Sequence, residues 1–319
     1  MKLEREAVRV DASTTLELLR LTGSRPGPVV AVLGGVHGDE PEGVVAVRRL
    51  AAALEGDDVS GTVVLLPASS PRAVEAGTRV SPVDGGDLAR SFPGAPGGSH
   101  TEQVAHAIDS HVIEGADFLV DLHSAGRDYH MPLFVGAIDD GSPQGSASVA
   151  AAVAFGAPIL WLHGTMNPGR SLSAAWARAI PAVYAESGGG GALRHGDLDA
   201  YVGGMLSLLA HLGMRAPAPV RASPPERVIR GGDGNVDLGL SVPADGFVIP
   251  LLDAGATVTA GDPLVDLLGT DGASSGALRA AGDGTVMMIR HRATVRAGET
   301  VAMIAPLSLP FDRSEVLGR

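Results

Sequence analysis

The amino-acid sequence predicts an α/β fold: a mixed, mainly parallel sheet flanked by helices, followed by a C-terminal all-β domain of barrel-sandwich type. Up to residue 212, short apolar runs that read as buried strands alternate with segments of helical periodicity, which is typical of parallel sheets. After a proline-rich stretch at residues 216–225, only short β segments with an internal repeat remain. We therefore expect two domains, residues 1–220 and residues 221–319.

The first elements are strands and one helix. Residues 7–10 and 16–21 read as entry strands, and residues 29–33 form an apolar run typical of a strand buried on both faces. Two glycines end that run. Pro41 suits the first turn of the helix that follows, where a missing N–H costs nothing. Residues 62–67 are expected to form a second buried strand.

The alternation continues after a long irregular segment. Residues 69–98 lack clear periodicity and are rich in Gly, Pro, Ser and Asp, so we expect a substrate-binding loop rather than a regular element. The elements expected after it are a helix at residues 99–113, a strand at 117–123, a helix and strand within 150–162, a strand at 182–186 and a helix at 198–212.

The C-terminal part contains an internal repeat. The segment at residues 245–248 recurs at 283–286, and the segment at 256–261 recurs at 293–298, with offsets of 38 and 37 residues. Two β units related in this way resemble the sandwich of biotinyl and lipoyl carrier domains. Those domains carry their cofactor on a lysine, and Lys2 is the sole lysine of this chain, so a carrier function is excluded.

Composition excludes several classes of protein. The 319-residue chain is 45% hydrophobic and 19% charged, as globular proteins are. A net charge of −12 without a basic patch argues against nucleic acid or an anionic membrane as a partner. The absence of cysteine removes disulfides, thiolate metal sites and a cysteine nucleophile. Without a signal core or a spanning apolar stretch, we expect a cytoplasmic protein; a homo-oligomer is left open.

Four polar residues fall at the carboxyl ends of predicted strands, the edge where open α/β sheets bind ligands: His37, Glu40, His123 and Glu186. A His and a Glu three residues apart can both bind one zinc ion, and a catalytic zinc needs a third protein ligand, for which His123 is the candidate. Without a metal, His37 reads as a solvated loop residue and Glu40 as a helix cap, because short motifs match by accident.

Other polar residues fit acid–base chemistry around such an ion. Glu186 is a spare carboxylate that can take a proton from water and pass it to a leaving group, or simply cap the glycine loop after it. Asp121 lies on the same strand face as His123 and can orient its ring. Arg79 and Arg90 can stabilise an oxyanion or hold a substrate carboxylate, although each would ordinarily be a solvated charge.

The order of these residues resembles one known family. Gly-x-His-Gly-Asp-Glu at residues 35–40, a loop with Arg79 and Asp-Leu-Ala-Arg-Ser-Phe-Pro-Gly at 87–94, Asp-Leu-His at 121–123 and then Glu186 resemble the succinylglutamate desuccinylase/aspartoacylase family of zinc carboxypeptidase-like hydrolases. Residues 73–94 are most similar to the branch that deacetylates N-acetyl-2,4-diaminobutyrate.

This resemblance implies a role for each site residue. One zinc ion per chain would be bound by three ligands, His37, Glu40 and His123. Glu186 would be the general base and acid, Arg79 would polarise the scissile carbonyl, and Arg90 would bind the substrate carboxylate. The family usually has Asn where this chain has Ala89, and it tends to have Asn-Pro at residues 70–71, where this chain has Ser-Pro.

The resemblance thus predicts a zinc-dependent amidohydrolase that removes an acetyl or succinyl group from a small N-acyl amino acid or diamino acid. Three alternatives stay open. The first is a zinc carboxypeptidase on small peptides, and the second is a drifted, non-enzymatic binding protein, for which Ala89 is a hint. The third is a serine hydrolase, because residues 272–276 match Gly-x-Ser-x-Gly, although they fall between the two β repeats rather than in a strand–turn–helix elbow.

Overall fold

The computed structural model describes residues 2–217, 223–232, 234–235 and 239–318. These residues form a large mixed sheet with helices on both faces and a smaller antiparallel β region, which confirms the predicted fold class. The junction predicted between residues 220 and 221 lies outside the described residues, so the division into two domains stays a prediction.

The first part of the chain alternates strands with helices. Its elements in chain order are β1 (Lys2–Arg9), β2 (Thr15–Thr22), β3 (Arg25–Gly34), α1 (Pro41–Leu54), β4 (Ser60–Leu66), α2 (Pro71–Ala76), α3 (His100–Ile108), β5 (Phe118–Leu122), β6 (Tyr129–His130), β7 (Phe134–Ile138), α4 (Pro143–Phe155), β8 (Ile159–His163), α5 (Ser171–Trp176), β9 (Ala182–Glu186), α6 (His195–His211) and β10 (Arg227–Arg230).

The large sheet has ten strands among the described residues, in the order β1-β2-β4-β3-β5-β9-β7-β8-β10, with a final strand β19 (Leu309–Pro310) at its far edge. Its centre, β4-β3-β5-β9, is parallel. The carboxyl ends of β3, β5 and β9 therefore meet at one edge, as the sequence predicts for His37, His123 and Glu186. Helices α1, α4 and α6 pack on one face of this sheet, and α3 and α5 pack on the other.

The structure corrects several predicted elements. The segment at residues 69–98 is not a continuous loop, since it contains α2 and a 3₁₀ turn at Leu88–Arg90. Helix α4 begins seven residues before the predicted start at residue 150, where Ser142 caps it through the Gly145 N–H. Strands β6 and β7 were not predicted. Helix α3 continues to residue 113 as a π-helical segment, Asp109–Ile113.

The second part is a β unit, defined here as residues 240–305. It contains two antiparallel sheets built from β11 (Leu240–Ser241), β12 (Gly246–Pro250), β13 (Thr257–Val258), β14 (Pro263–Leu268), β15 (Ser274–Arg279), β16 (Gly284–Arg290), β17 (Thr294–Val295) and β18 (Thr300–Ala305). Ser274, the serine of the Gly-x-Ser-x-Gly match, begins β15 and is exposed, and the element directly after β15 is another strand, β16, not a helix. The elbow that a serine hydrolase needs is therefore not formed there.

The internal repeat is visible in the strand pairing of the β unit. The two copies exchange partners in equivalent registers, with Gly246 opposite Val295 and Gly284 opposite Val258. The same hydrogen bond recurs at both copies: Asp245 accepts from the Ala297 N–H and Asp283 accepts from the Ala260 N–H, at 2.8 and 2.9 Å. This crosswise pairing is the pseudo-twofold arrangement that the repeat predicts.

The β unit packs against the first part of the chain. Strand β16 pairs with β6, so that Ile289 lies opposite His130. A second apolar cluster spans the junction, with Phe134 and Trp161 from the large sheet packed with Met287, Met288 and Met303 from the β unit. After the β unit the chain returns through β19 to a final helix, α7 (Arg313–Leu317), which packs against α4.

No helix in the described part of the chain is long and apolar enough to cross a lipid bilayer.

A close approach of backbone to backbone holds α1 against the sheet. A Cβ atom on Gly43 would lie 2.3 Å from the Leu122 carbonyl oxygen, and one on Gly34 would lie 2.6 Å from the Gly43 carbonyl oxygen. Only glycine lets the first turn of α1 contact β3 and β5 in this way. Since Glu40 precedes this turn and His123 follows Leu122, the contact brings the two predicted ligands together.

We expect Gly43→Ala to lower the free energy of unfolding by about 1–3 kcal/mol, because the added methyl group overpacks this contact. Gly203 is the matched control: it also lies inside a helix, α6, but a Cβ there meets no atom within 4 Å. Gly203→Ala should therefore stabilise the protein by about 0.5–1 kcal/mol through helix propensity. Urea unfolding of both variants measures the effect, and equal shifts would contradict the close-contact explanation.

Candidate metal and hydrolytic site

Glu40 is the centre of the site, at the N-cap of α1 with 2% of its surface exposed. Its Oε1 atom is 2.7 Å from His37 Nδ1, and its Oε2 atom is 2.9 Å from His123 Nδ1. His37 lies in the turn between β3 and α1, His123 follows β5, and both are buried. The three predicted ligands are therefore brought together, with one ligand atom of each within 4.8 Å of the others.

A carboxylate lies beside the outer nitrogen of each histidine. His37 Nε2 donates to Asp87 Oδ1 at 3.1 Å, and His123 Nε2 lies 3.1 Å from Asp121 Oδ1. These carboxylates favour the proton on Nε2, which leaves both Nδ1 lone pairs directed at Glu40. The prediction that Asp121 lies next to His123 is confirmed, and Asp87 takes the equivalent position at His37.

The electrostatics of this cluster favour a positive charge. Burial acts to lower the pKa of His123, but the carboxylates of Asp121 and Glu40 outweigh it and hold the pKa well above its usual range. Burial acts to raise the pKa of Glu40, but the two histidine rings hold it well below its usual range. A metal cation meets this demand with two imidazole nitrogens and one carboxylate, so the residues fit a divalent ion.

The loop with the predicted arginines packs directly on the ligand turn. A Cβ on Gly38 would lie 2.0 Å from the Ala73 carbonyl oxygen, and the Gly38 N–H donates to the Thr78 carbonyl. This approach brings Arg79 Nη1 to 3.4 Å from Glu40 Oε1, with its side chain 41% exposed. Arg79 therefore stands at the open side of the ligand cluster.

Asp87 connects this loop to the ligands. Besides His37, its Oδ1 atom accepts the Ala89 N–H at 2.9 Å and so starts the 3₁₀ turn that presents Arg90. Its Oδ2 atom lies 3.9 Å from Arg79 Nε. One carboxylate thereby fixes the ring of a ligand and the positions of both arginines.

Glu186 ends β9 at the same edge of the sheet. Its Oε2 atom is buried and has no hydrogen-bond partner among the residues that the structure describes. Burial raises the pKa of Glu186 to about 8, against the opposing charge of His123. A carboxyl group with a raised pKa in a cleft is typical of a residue that exchanges protons.

All six residues predicted for the site line one cavity of about 380 Å³: His37, Glu40, Arg79, Arg90, His123 and Glu186. Other charged residues of the loop have structural contacts instead. Arg72 pairs with Glu75 on α2, and Asp84 accepts from the Thr101 N–H and hydroxyl at the start of α3. The cavity is large enough for a small amino-acid derivative.

Sequence reasoning gave no role to several residues of the cavity wall. From the first part of the chain these are Asp39, Asp128, Tyr129, Met131, His163, Met166, Arg170 and Tyr184, and from the β unit Met288 and Thr300. Asp39 lies inside the Gly-x-His-Gly-Asp-Glu motif, so its acidic side chain next to Glu40 was a sequence signal that it could line the site. The β-unit residues reach the cavity through pairing of distant strands, for which the sequence contains no local signal.

The β unit fixes one part of this wall through Tyr129. The hydroxyl of Tyr129 donates to the Thr300 carbonyl at 3.1 Å and accepts from Arg290 Nη1 at 3.4 Å. The Arg290 guanidinium also lies 5.6 Å from the centre of the Tyr129 ring and pairs with Glu299 at 2.9 Å. Arg290 is buried, so the ring is held firmly at the mouth of the cavity.

The sequence matches a family model over residues 26–212, that of the succinylglutamate desuccinylase/aspartoacylase catalytic domain. Among curated proteins it is similar to the N-alpha-acetyl-L-2,4-diaminobutyric acid deacetylase of Halomonas elongata. The two are 31% identical over 283 residues, which cover 88% of this chain and 82% of the relative.

Solved structures with the same fold include a succinylglutamate desuccinylase from Silicibacter sp. TM1040, with a TM-score of 0.84 and 26% identity, covering 95% of this chain and 93% of that one. The product-bound ectoine utilization protein EutE (DoeB) from Ruegeria pomeroyi gives a TM-score of 0.82 and 28% identity, also covering 95% of this chain and 93% of the other.

We expect Asp87→Asn to weaken metal binding by about 10–100-fold, because the variant loses the charge that holds the proton on His37 Nε2. Asp84→Asn is the matched control, since Asp84 anchors the same loop to α3 without touching a ligand. Competition titrations with a chromophoric chelator measure both affinities. Equal affinities for the two variants would show that Asp87 acts only as a loop anchor.

Proposed function

The chain belongs to the succinylglutamate desuccinylase/aspartoacylase family, and from this membership we propose that it is a zinc-dependent amidohydrolase. Its substrate is a small N-acyl amino acid or diamino acid, from which it removes a short acyl group, acetyl or succinyl. The Halomonas relative, named as a deacetylase of an acetylated diamino acid, supports this substrate class. We also propose that residues 1–220 form the catalytic domain and residues 221–319 a C-terminal β domain.

One observation carries the proposal. The buried cluster of His37, Glu40 and His123 can hold a metal ion, and Glu186 and Arg79 line the same cavity beside it. A general base and a cationic group next to a candidate metal centre are the parts that hydrolysis of an amide requires.

The three ligands favour zinc over harder cations, because histidine nitrogens dominate the donor set. A bound zinc ion would supply a Lewis acid for the carbonyl group and would lower the pKa of water to about 7. Asp87 and Asp121 keep the two histidine rings in the tautomer and orientation that binding requires.

Glu186 moves the proton in the proposed reaction. In its ionised form, which a cation bound by the neighbouring ligand cluster would favour, Glu186 takes a proton from the attacking water and then gives it to the amine nitrogen as the C–N bond breaks. Oε2 is free of hydrogen bonds from the described residues, so one oxygen is available for both transfers.

In the proposed reaction, two arginines bind the negatively charged groups of the substrate and of the intermediate. Arg79 donates hydrogen bonds to the oxyanion that forms on the substrate carbonyl. Arg90 binds the carboxylate of the amino-acid portion. Ala89, beside Arg90 and 7% exposed, offers no side-chain donor, so the amino-acid end of the substrate has more room and fewer hydrogen bonds than an asparagine there would give.

The first test is release of free amine from a panel of N-acetyl and N-succinyl amino acids and diamino acids, with zinc and with a chelator. We expect turnover that the chelator abolishes and zinc restores, because the catalytic groups surround the ligand cluster. A parallel panel of small peptides tests the carboxypeptidase alternative, and chelator-insensitive turnover would revive a serine mechanism. Two results would favour a non-enzymatic role: zinc-loaded protein that releases no amine from either panel, or protein that binds no zinc. The cytoplasmic location stays a prediction from sequence.

We expect Glu186→Gln to lower kcat by about 10²–10⁴-fold while zinc content is retained, because the amide keeps the shape of the side chain but cannot accept the proton. Glu75→Gln on α2, whose side chain is 70% exposed, is the matched control and should keep full activity. Steady-state kinetics measure kcat for both variants, and metal analysis measures their zinc content. Unimpaired turnover by zinc-loaded Glu186→Gln would remove Glu186 from the mechanism.

A further inference from the structure

Two carboxylates in the cavity have no role in the proposed chemistry, Asp39 and Asp128. Asp39 Oδ1 is buried and has no hydrogen-bond partner among the described residues, and its Oδ2 receives the Arg127 N–H at a long 3.5 Å. Asp128 Oδ1 also has no hydrogen-bond partner in the described chain and lies 3.6 Å from Arg292, whose side chain is 59% exposed. This exposed ion pair offsets part of the Asp128 charge, so Asp39 is the main carboxylate of the two.

The arginines near Asp39 are directed elsewhere. The Arg127 guanidinium donates to the Gly77 carbonyl at 2.6 Å, and Arg79 is shared with Glu40 and Asp87. Neither Arg127 nor Arg292 is among the described residues that line the cavity. Arg79 also attracts the Asp39 carboxylate, but it lies within hydrogen-bond distance of Glu40 and not of Asp39. This part of the wall is therefore acidic, and no arginine donates a side-chain hydrogen bond to it among the contacts of the described residues.

The chain places these carboxylates away from Arg90. Asp39 lies against the turn after His123, where a Cβ on Gly126 would be 2.9 Å from Asp39 Oδ2, and Asp128 follows two residues later. The backbone of Arg90 instead lies against Gly169, where a Cβ would be 2.5 Å from the Arg90 carbonyl oxygen, and the Arg90 side chain lines the cavity from there. The ligand cluster thus has an arginine side, towards Gly169, and an acidic side, towards Gly126.

We propose that the acidic side, with Asp39 as its main residue, receives the acyl group and selects uncharged short acyl groups such as acetyl over acyl groups that end in a carboxylate, such as succinyl. This inference rests on the proposed function. There, the substrate carboxylate binds Arg90 and the scissile carbonyl lies by Arg79 and the ligands. The acyl substituent, on the other side of that carbonyl, then points away from Arg90.

The physical basis is repulsion in a partly buried place. Asp39 Oδ1 is shielded from water, so its charge is weakly screened there. A second carboxylate brought into the same space would lose its hydration and gain no cation, which is selection by an unfavourable contact with the wrong substrate. An acetyl methyl group meets no such cost, and Tyr129, Met131 and Met288 give it apolar contacts on the adjoining wall.

The size of the acyl group is the rival explanation for such a preference, because the Tyr129 ring and the methionines also narrow this side of the cavity. Three acyl derivatives of the best amino acid from the panel separate the two: N-acetyl, N-succinyl and N-(4-methylpentanoyl). The last has the shape of succinyl without its charge. The three are assayed with the zinc-loaded full-length enzyme and with Asp39→Asn, Asp128→Asn and Asp199→Asn. Asp199, on α6 and 74% exposed, controls for loss of one charge from the chain.

For the wild-type enzyme we expect kcat/KM to be at least about tenfold lower for N-succinyl than for N-(4-methylpentanoyl). Asp39→Asn should raise the succinyl to methylpentanoyl ratio by about tenfold, Asp128→Asn by less, and Asp199→Asn not at all. Metal content and melting temperature are measured for each variant. If Asp39→Asn loses its metal, its kinetics cannot be used. The proposal then requires that Asp128→Asn raise the succinyl to methylpentanoyl ratio of kcat/KM.

Two outcomes would overturn the inference while leaving the proposed function intact. One is equal rejection of both long acyl groups by all variants, which would assign the selection to size. The other is efficient hydrolysis of the succinyl substrate by the wild-type enzyme. By contrast, absence of turnover on every acyl derivative would remove the proposed function itself.

Discussion

Burial of Glu40 between two histidine rings is the constraint on which the rest of the site depends. A carboxylate and two imidazoles are enclosed in the protein interior, and each histidine has a further carboxylate near its outer nitrogen. A cation bound by this cluster would offset the buried negative charge and would fix the proton positions and the ring orientations together. Three separate segments supply this cluster and its neighbours. Close glycine contacts bring these segments together: they hold α1 on β3 and β5, and they let α2 pack on Gly38.

The sequence was informative where chemistry and local structure coincide. His37 and Glu40 lie in one turn, and His123 and Glu186 end apolar runs, so strand prediction alone brings all four to one edge of a sheet. The fold class and the crosswise β repeat followed from the same local patterns. The start of α4 could have been recognised from Ser142 and Pro143, a cap and a first-turn proline, but the glycine and serines after them hide the helical periodicity.

The other side of the cavity could not be predicted in this way, because tertiary pairing produces it. Tyr129 has no local pattern that marks it as part of a site. Tyr129 becomes part of the site only because β6 pairs with β16 and Arg290 contacts its hydroxyl group and its ring. Nor does the sequence distinguish a carboxylate with a partner from one without: Asp39 lies in the ligand motif and Asp84 does not, but only the structure shows that Asp84 holds a helix and that Asp39 faces the cavity. The proposed substrate preference depends on contacts of this second kind.

The return of the chain to the large sheet has a further consequence. Strand β10 precedes the β unit and β19 follows it, and both belong to the same sheet, with α7 packed on α4 beyond them. The β unit is therefore tethered to the sheet at both of its ends. The return of the chain at both ends restricts the positions that β16 can take and so lowers the entropy cost of pairing it with β6, which forms one wall of the cavity.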